Sequence, residues 1–304
     1  MMAAQIADYL NDYRGVYAQS SLEGLKRRYA KMARDFAKLR AAGSIEGVDF
    51  SNLTIDDIKA YGVSLRNRGL KQSAICHDLS ALGALCRYCG CNSYDIAKMK
   101  FPLLFYSPRM QRLPPLSPAE VMRLMAAIER INGPYRLLRS AAQVAIALGG
   151  GLRPIEIQHL TTDGLNLKEG LVSVSTVKGG TTYGQARTAP LRPIAIPIMR
   201  RYMAAREIAP PTVAASHYVF CNASDGLPLA ANTLRRNKAD IEAAAGVKFD
   251  YRKLRRTYAQ MAIDEGAKIE SVSLVLGHSS TKTTEGAYGR LRPDAAINDL
   301  KSRW

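Results

Sequence analysis

Acidic side chains are scarce in this sequence. Its 304 residues carry 26 Asp and Glu against 43 Lys and Arg, a net charge of +17. That imbalance favours a polyanion as partner over a cationic one. No apolar run has the length needed to cross a bilayer, so a membrane partner is not expected. No basic segment followed by an apolar stretch and a cleavage site opens the chain, so a cytoplasmic location is expected rather than secretion. Cysteines are few and odd in number: Cys76, Cys86, Cys89, Cys91 and Cys221. Without a signal they read as reduced thiols, not as a disulfide framework. The run Cys86-Arg-Tyr-Cys89-Gly-Cys91, with Cys76 or His77 nearby, has a two-residue gap that zinc accepts. No second paired set accompanies it, and cysteine is among the most commonly buried residues. No carboxylate cluster suits magnesium. Neither a metal nor a cofactor is therefore expected, and there is no internal repeat or low-complexity tract.

The composition that remains is that of an ordinary globular protein, 47% apolar and 23% charged. The chain is long enough for two compact domains. Residues 1–107 hold 15 basic and 10 acidic side chains, net +5, which leaves +12 for residues 108–304. Helical periodicity dominates the first 107 residues. Between Ser20 and Ala42 the positions Leu22, Leu25, Tyr29, Ala33, Phe36 and Leu39 recur at helical spacing. Lys26, Arg27, Arg28, Lys31, Arg34, Lys38 and Arg40 cover the other faces as a solvated or phosphate-contacting surface. Leu53–Arg66 and Lys71–Tyr88 also read as helices, broken by Gly69 and Gly90, with Thr54 and Asp57 as a capping pair. Residues 108–116, rich in proline, form a candidate linker. Ser117 before Pro118 and Glu120 then starts a helix. From there the pattern is mixed and mostly helical. Helices are expected near 118–131, 136–149, 154–160, 193–206, 230–245, 251–265 and 268–276. Short strands are expected at Leu165–Leu167, Leu171–Val177 and Arg187–Leu191, with a further one at His217–Cys221.

Four segments carry candidate chemistry. In Gly149-Gly-Gly-Leu-Arg153-Pro-Ile-Glu156 a glycine run turns the chain and Pro154 opens a helix. Arg153 sits at a helix start whose amides suit an anion, and Glu156 is close enough to orient it. By itself this is also what a surface turn looks like. Lys178 lies in the connection between a strand and the return strand that carries Arg187. There it can protonate a leaving oxygen or simply meet solvent. In Asp250-Tyr-Arg-Lys-Leu-Arg-Arg-Thr-Tyr258, Arg252 and Arg255 fall on one helical face, with Leu254 and Tyr258 toward the core. Such crowded like charges call for a negative group between them, and a phosphate would serve. In Leu274-Val-Leu-Gly-His278…Tyr288 a short apolar helix ends at Gly277, His278 follows, and Tyr288 lies ten residues on.

Taken in order, these segments resemble the tyrosine recombinases, the phage integrase family, from Leu113 to about Arg290. The segments Gly-Leu-Arg-Pro-Ile-Glu, Lys-Leu-Arg-Arg-Thr and Leu-Gly-His-Ser-Ser…Thr-Thr-Glu are the most specific. The resemblance implies a mainly α fold with a small β-sheet. Residues 1–107 would be a helical core-binding (SAM-like) DNA-binding domain, 108–116 a linker, and 117–304 a mixed, mostly helical catalytic domain with a C-terminal tail. It implies a site-specific DNA recombinase or integrase acting through a 3′-phosphotyrosyl intermediate without a metal, encoded by a virus, plasmid or other mobile element. The alternatives are a catalytically impaired DNA-binding protein of the same fold and a host chromosome-dimer resolvase. Arg153 and Arg255 would hold the scissile phosphate, Lys178 would protonate the leaving 5′ oxygen, His278 would bond a non-bridging oxygen, and Tyr288 would attack phosphorus. Double-stranded DNA would be the partner, with a homotetramer assembled on it and accessory DNA-bending proteins as a further class. In the tail, Leu291, Ile297, Leu300 and Trp304 would dock on a neighbouring protomer or on their own domain. Two departures stand out. Arg252 occupies the position where the family usually has histidine, and an arginine cannot act as a general base. The stretch from His278 to Tyr288 is one residue longer than the common pattern, with Gly286 as the insertion, which leaves Tyr251 and Tyr258 as alternative nucleophiles.

Overall fold

The computed structural model describes residues 1–107, 113–175, 186–278 and 301, apart from the side chain of Ser20. The chain divides into two compact units, Met1–Gln111 and Arg112–Trp304.

The first unit is helical: α1 (Met2–Asp12), α2 (Gln19–Ala41), α3 (Ile55–Asn67), α4 (Gln72–Tyr88), α5 (Ser93–Lys100) and α6 (Pro102–Phe105). Thr54 starts α3 with a reciprocal cap, in which its hydroxyl accepts from the Asp57 amide while Asp57 accepts from the Thr54 amide. Two of the four orphan donors at the helix start are thereby satisfied. The core gathers Tyr29, Met32, Phe36, Phe50, Leu53, Ile58, Tyr61, Leu65, Ile75 and Leu79. Phe36 stacks on Tyr61 with ring centroids 4.7 Å apart and meets Phe50 edge-on at 5.9 Å. On α2 the inward stripe runs Tyr29, Met32, Phe36, so Met32 is buried where Ala33 was expected, and Ala33 is only half-buried. The polar face of α2 is also less uniform than its sequence suggests. Arg28 and Lys31 share Asp78 of α4 at 3.1 and 3.6 Å, and Arg40 donates to the Gly47 carbonyl. Lys26, Arg27, Arg34 and Lys38 are exposed.

The second unit comprises α7 (Pro118–Arg130), α8 (Tyr135–Gly150), α9 (Pro154–Gln158), β1 (Leu165–Asn166), β2 (Leu171–Val174) and β3 (Arg187–Pro190). A 3-10 turn (Pro193–Ala195) follows, then α10 (Ile196–Glu207), α11 (Pro211–Ala214), α12 (Ala231–Ala245), α13 (Tyr251–Asp264) and α14 (Ile269–Leu276). The fold is therefore mostly helical with a small sheet, in the order β1-β2-β3 and antiparallel throughout. Helix α8 is its axis. From Ser140 to Gly150 it is buried on every side and packs against α7, α10, α12 and α13. Its alanines at 141, 142, 145 and 147 let those neighbours approach closely. In the sheet, Val172 and Val174 point inward while Leu171 and Ser173 face out, the period-two pattern of a half-buried strand. His217–Cys221 is not a strand. Its backbone makes isolated bridges, Thr161 to Tyr218 and Cys221 to Pro228, because the chain opposite it at 160–162 has no extended run to pair with. No described helix is long and apolar enough to cross a membrane.

Candidate active site

Three chain reversals bring the site together. Helix α8 ends at Gly151, whose φ of 64° places it in the left-handed region that favours glycine. A Cβ there would also stand 2.6 Å from the Tyr258 ring, so the position excludes other residues twice over. Two residues later Arg153 precedes α9, with Pro154 at its first position. The second element, α13, is started by Asp250, which accepts from the Lys253 amide at 2.6 Å. It buries Leu254 and Tyr258 as expected, and also Arg255. The third, α14, ends at Gly277, again with positive φ at 63°, and delivers His278.

Glu156 lies at the centre, with no exposed side-chain surface. Its Oε1 accepts from Arg153 Nη1 at 2.8 Å and its Oε2 from the Arg153 amide at 2.7 Å. Arg187, the first residue of β3, donates to both oxygens, Nη1 to Oε1 at 2.9 Å and Nη2 to Oε2 at 2.7 Å. Arg255 Nη1 stands 3.7 Å from Oε2. The negative group that crowded arginines require is thus supplied by the protein itself. Burial alone would raise the Glu156 pKa. The hydrogen bonds and charge of Arg187, the Arg153 amide and Arg255 outweigh it and hold the carboxyl below the usual range.

The guanidiniums are anchored a second time, on backbone. Arg187 Nε donates to Val275 O at 2.6 Å, Arg255 Nη2 to Leu276 O at 2.5 Å, and Arg153 Nη2 to Gly277 O at 3.1 Å. Three successive carbonyls at the end of α14 therefore each take one arginine, and each arginine comes from a different part of the fold. Carbonyls at a helix C-terminus lack intrahelical partners and carry the negative end of the dipole, so cations suit them. Arg255 Nη1 also donates to Gly151 O, at 2.7 Å.

His278 Nε2 lies 3.2 Å from Arg255 Nη2. An arginine only donates, so this bond makes Nε2 the acceptor and puts the ring proton on Nδ1. Burial first, then the charges of Arg255, Arg153 and Arg187, lower the His278 pKa from 6.5 to about 4, with Glu156 opposing. Among the described residues, three guanidiniums share one carboxylate, an excess of two positive charges, with a neutral imidazole beside Arg255. Such a pocket suits a phosphate on which negative charge builds up.

The arrangement brings Arg153, Arg255 and His278 together and leaves Arg252 out. Arg252 is exposed, because three residues along an α-helix advance about 300°, which puts it some 60° away from Arg255. Lys178 and Tyr288 lie outside the described residues, as do Gly286 and the tail apart from Lys301. The alternative nucleophiles are enclosed. Tyr251 is 4% exposed and donates to Leu234 O at 3.3 Å; Tyr258 is 5% exposed and donates to Pro190 O at 3.2 Å. Desolvation raises both phenol pKa values, the wrong direction for a nucleophile. The described residues include no group of His, Cys, Asp and Glu arranged to hold a metal ion.

Arg187 is a residue of the site to which no motif in the sequence gives a role. The signal was its register. Arg187 shares the inward face of β3 with buried Ala189, and an inward arginine needs an acid.

The model of the phage integrase family matches residues 115–294. The chain is 28% identical over 283 residues to the tyrosine recombinase XerD of Xanthomonas campestris pv. campestris, covering 88% of this chain and 81% of that protein. It is 26% identical over 267 residues to the tyrosine recombinase XerA of Pyrococcus furiosus, covering 86% and 77%. Its fold is similar to that of the Tn1549 transposon integrase in complex with transposon right end DNA, with TM-score 0.70, 18% identity and 99% of each chain covered. It is also similar to lambda integrase in a dimer bound to a COC′ core site, with TM-score 0.69, 15% identity, and 96% of this chain and 97% of that one covered.

Proposed function

The chain belongs to the phage integrase family, the tyrosine recombinases, enzymes that cut and rejoin DNA; from that premise we propose that it recombines double-stranded DNA at a specific site through a 3′-phosphotyrosyl intermediate, with Tyr288 as nucleophile. The observation that carries this reading is the pocket of Arg153, Arg255 and His278 around buried Glu156.

Arg153 and Arg255 hold the non-bridging oxygens of the scissile phosphate, and His278 bonds one of them. The Tyr288 hydroxyl gives up its proton to water as its oxygen attacks phosphorus, the bond to the 5′ oxygen breaks, and Lys178 gives that oxygen a proton. As charge builds on the phosphorane, donors already fixed by Glu156 and the α14 carbonyls stabilise it without reorganising. The phosphotyrosyl bond conserves the phosphodiester energy for rejoining, so no step calls for a metal or a nucleotide cofactor. Burial of Tyr251 and Tyr258 supports Tyr288 as the attacking phenol. Arg252, exposed on the same helix, contacts the DNA backbone beside the pocket and takes no proton. Residues 1–107 act as the core-binding domain, with Lys26, Arg27, Arg34 and Lys38 meeting phosphates. Four copies assemble on DNA through the tail, aided where needed by DNA-bending proteins. The encoding unit is a mobile element. Similarity to Xer recombinases over most of the chain keeps chromosome-dimer resolution as the second reading.

The test is a suicide substrate, a nicked duplex carrying a site selected from a random pool, whose cleavage strands the protein on DNA. Wild type is expected to form the covalent adduct and Tyr288→Phe to form none; an adduct with Tyr288→Phe overturns the assignment. Sequencing adducts captured in cells separates the two readings, element ends for the first and a chromosomal resolution site for the second.

A further inference from the structure

We propose that Arg187 is a positioning residue for strand cleavage, acting through Glu156 and not on the phosphate. The inference rests on the cleavage reading above and adds a residue to it.

All three nitrogens of the Arg187 guanidinium are engaged within the protein. Its two Nη atoms take both Glu156 oxygens, at 2.9 and 2.7 Å, and Nε takes Val275 O at 2.6 Å. The fork that would grip a phosphate is filled by a carboxylate, and the side chain is 7% exposed. Arg153 differs: it gives Glu156 one side-chain donor and is 23% exposed. Arg187 also touches two of the three segments that build the pocket. It reaches Glu156 of α9 and the end of α14, and it lies against Gly277, where an added Cβ would stand 3.0 Å from its Cδ. Its own backbone is paired with Val174 at the end of β2. A carboxylate buried among guanidiniums can rotate about its terminal torsion unless both oxygens are held. The bidentate bond from Arg187 holds both. It fixes the plane of the Glu156 carboxylate, and that plane aims Arg153 Nη1. The lowered Glu156 pKa, to which Arg187 is the largest favourable contributor, is consistent with this.

The experiment is a double-mutant cycle of Arg187→Gln and Glu156→Gln in the full chain, read by single-turnover suicide cleavage and by equilibrium DNA affinity. Each single variant is expected to cleave about 10- to 100-fold more slowly, the usual cost of losing a supporting contact, with DNA affinity little changed. The double variant is expected to be no slower than the worse single, because both remove one device. Arg187→Lys keeps the charge without the fork. It is expected to fold, to recover part of the rate and to stay below wild type. Repeating the assay with a 5′-bridging phosphorothiolate, whose sulfur leaves as thiolate without a proton, is expected to leave the Arg187→Gln defect in place. Multiplicative defects, a folded Arg187→Lys at the wild-type rate, or recovery on the sulfur substrate would each overturn the proposal; recovery would place Arg187 with the leaving-group acid. If wild type makes no adduct on either substrate, the cleavage reading falls, and this inference with it. If wild type cleaves and Arg187→Gln does so equally fast, this inference falls alone.

Discussion

The two units use basic residues in opposite ways. On α2 of the first unit, Lys26, Arg27, Arg34 and Lys38 stand in solvent, and the carboxylate nearby, Asp78, pairs with half-exposed Arg28 and Lys31. In the second unit Arg187 and Arg255 are buried around a carboxylate with no exposed surface. Exposed charge attracts a polyanion from any direction and is screened by salt. Buried charge is fixed in direction and loses little to salt. Proximity in sequence does not sort residues between the two uses, as Arg252 and Arg255 lie one turn apart on the same helix, the first exposed and the second buried.

Glu156→Gln should break the contrast most severely. Removing the charge that buried arginines share is expected to cost about 3–5 kcal/mol of stability, read by urea denaturation. The same variant should change the acid response. With its pKa held down in the fold, Glu156 stabilises the protein above the unfolded carboxyl value of about 4.3 and loses that contribution as pH falls through the lower native one. The Gln variant should lose less stability across that window. Arg255→Ala comes next, with single-turnover cleavage expected to fall about 10²–10³-fold, the cost of one transition-state donor. Third, His278 should titrate near 4 in the free protein by NMR, and the midpoint should rise when DNA supplies phosphate charge. The unfolded chain binds that proton from about 6.5, so the contribution of His278 to stability is complete above that value and shrinks as pH falls toward 4. An unshifted midpoint on DNA would separate His278 from the phosphate. Fourth, Arg34→Ala should reduce the slope of log affinity against log salt by about 0.9 and leave the cleavage rate of bound DNA unchanged. The smallest effect ignores the contrast: Thr54→Ala in the first unit and Ser117→Ala in the second each lose one cap, about 1 kcal/mol by denaturation.

Local features of this molecule were legible in advance. Thr54 with Asp57 and Ser117 with Glu120 begin helices where their spacing places them. Arg153 and Glu156, three residues apart, meet as expected. Features that depend on distant partners were not legible. Arg187 reaches Glu156 across 31 residues, and no local period marks that pairing. His217–Cys221 has strand composition but no extended neighbour, so it pairs one bridge at a time. The charge between the arginines was read as a ligand's, because a carboxylate on another helix leaves no trace near residue 255. Four-residue helices such as α6 and α11 are too short to show a period.

The main-chain anchoring of the three arginines has an evolutionary consequence. Their acceptors at Val275, Leu276 and Gly277 are peptide oxygens, which every residue type possesses. A lineage can therefore replace Val275 or Leu276 with another apolar residue and keep each contact intact. Genetic drift can erase the wording of that helix while its grip persists, whereas Glu156, which holds through its side chain, has no such latitude.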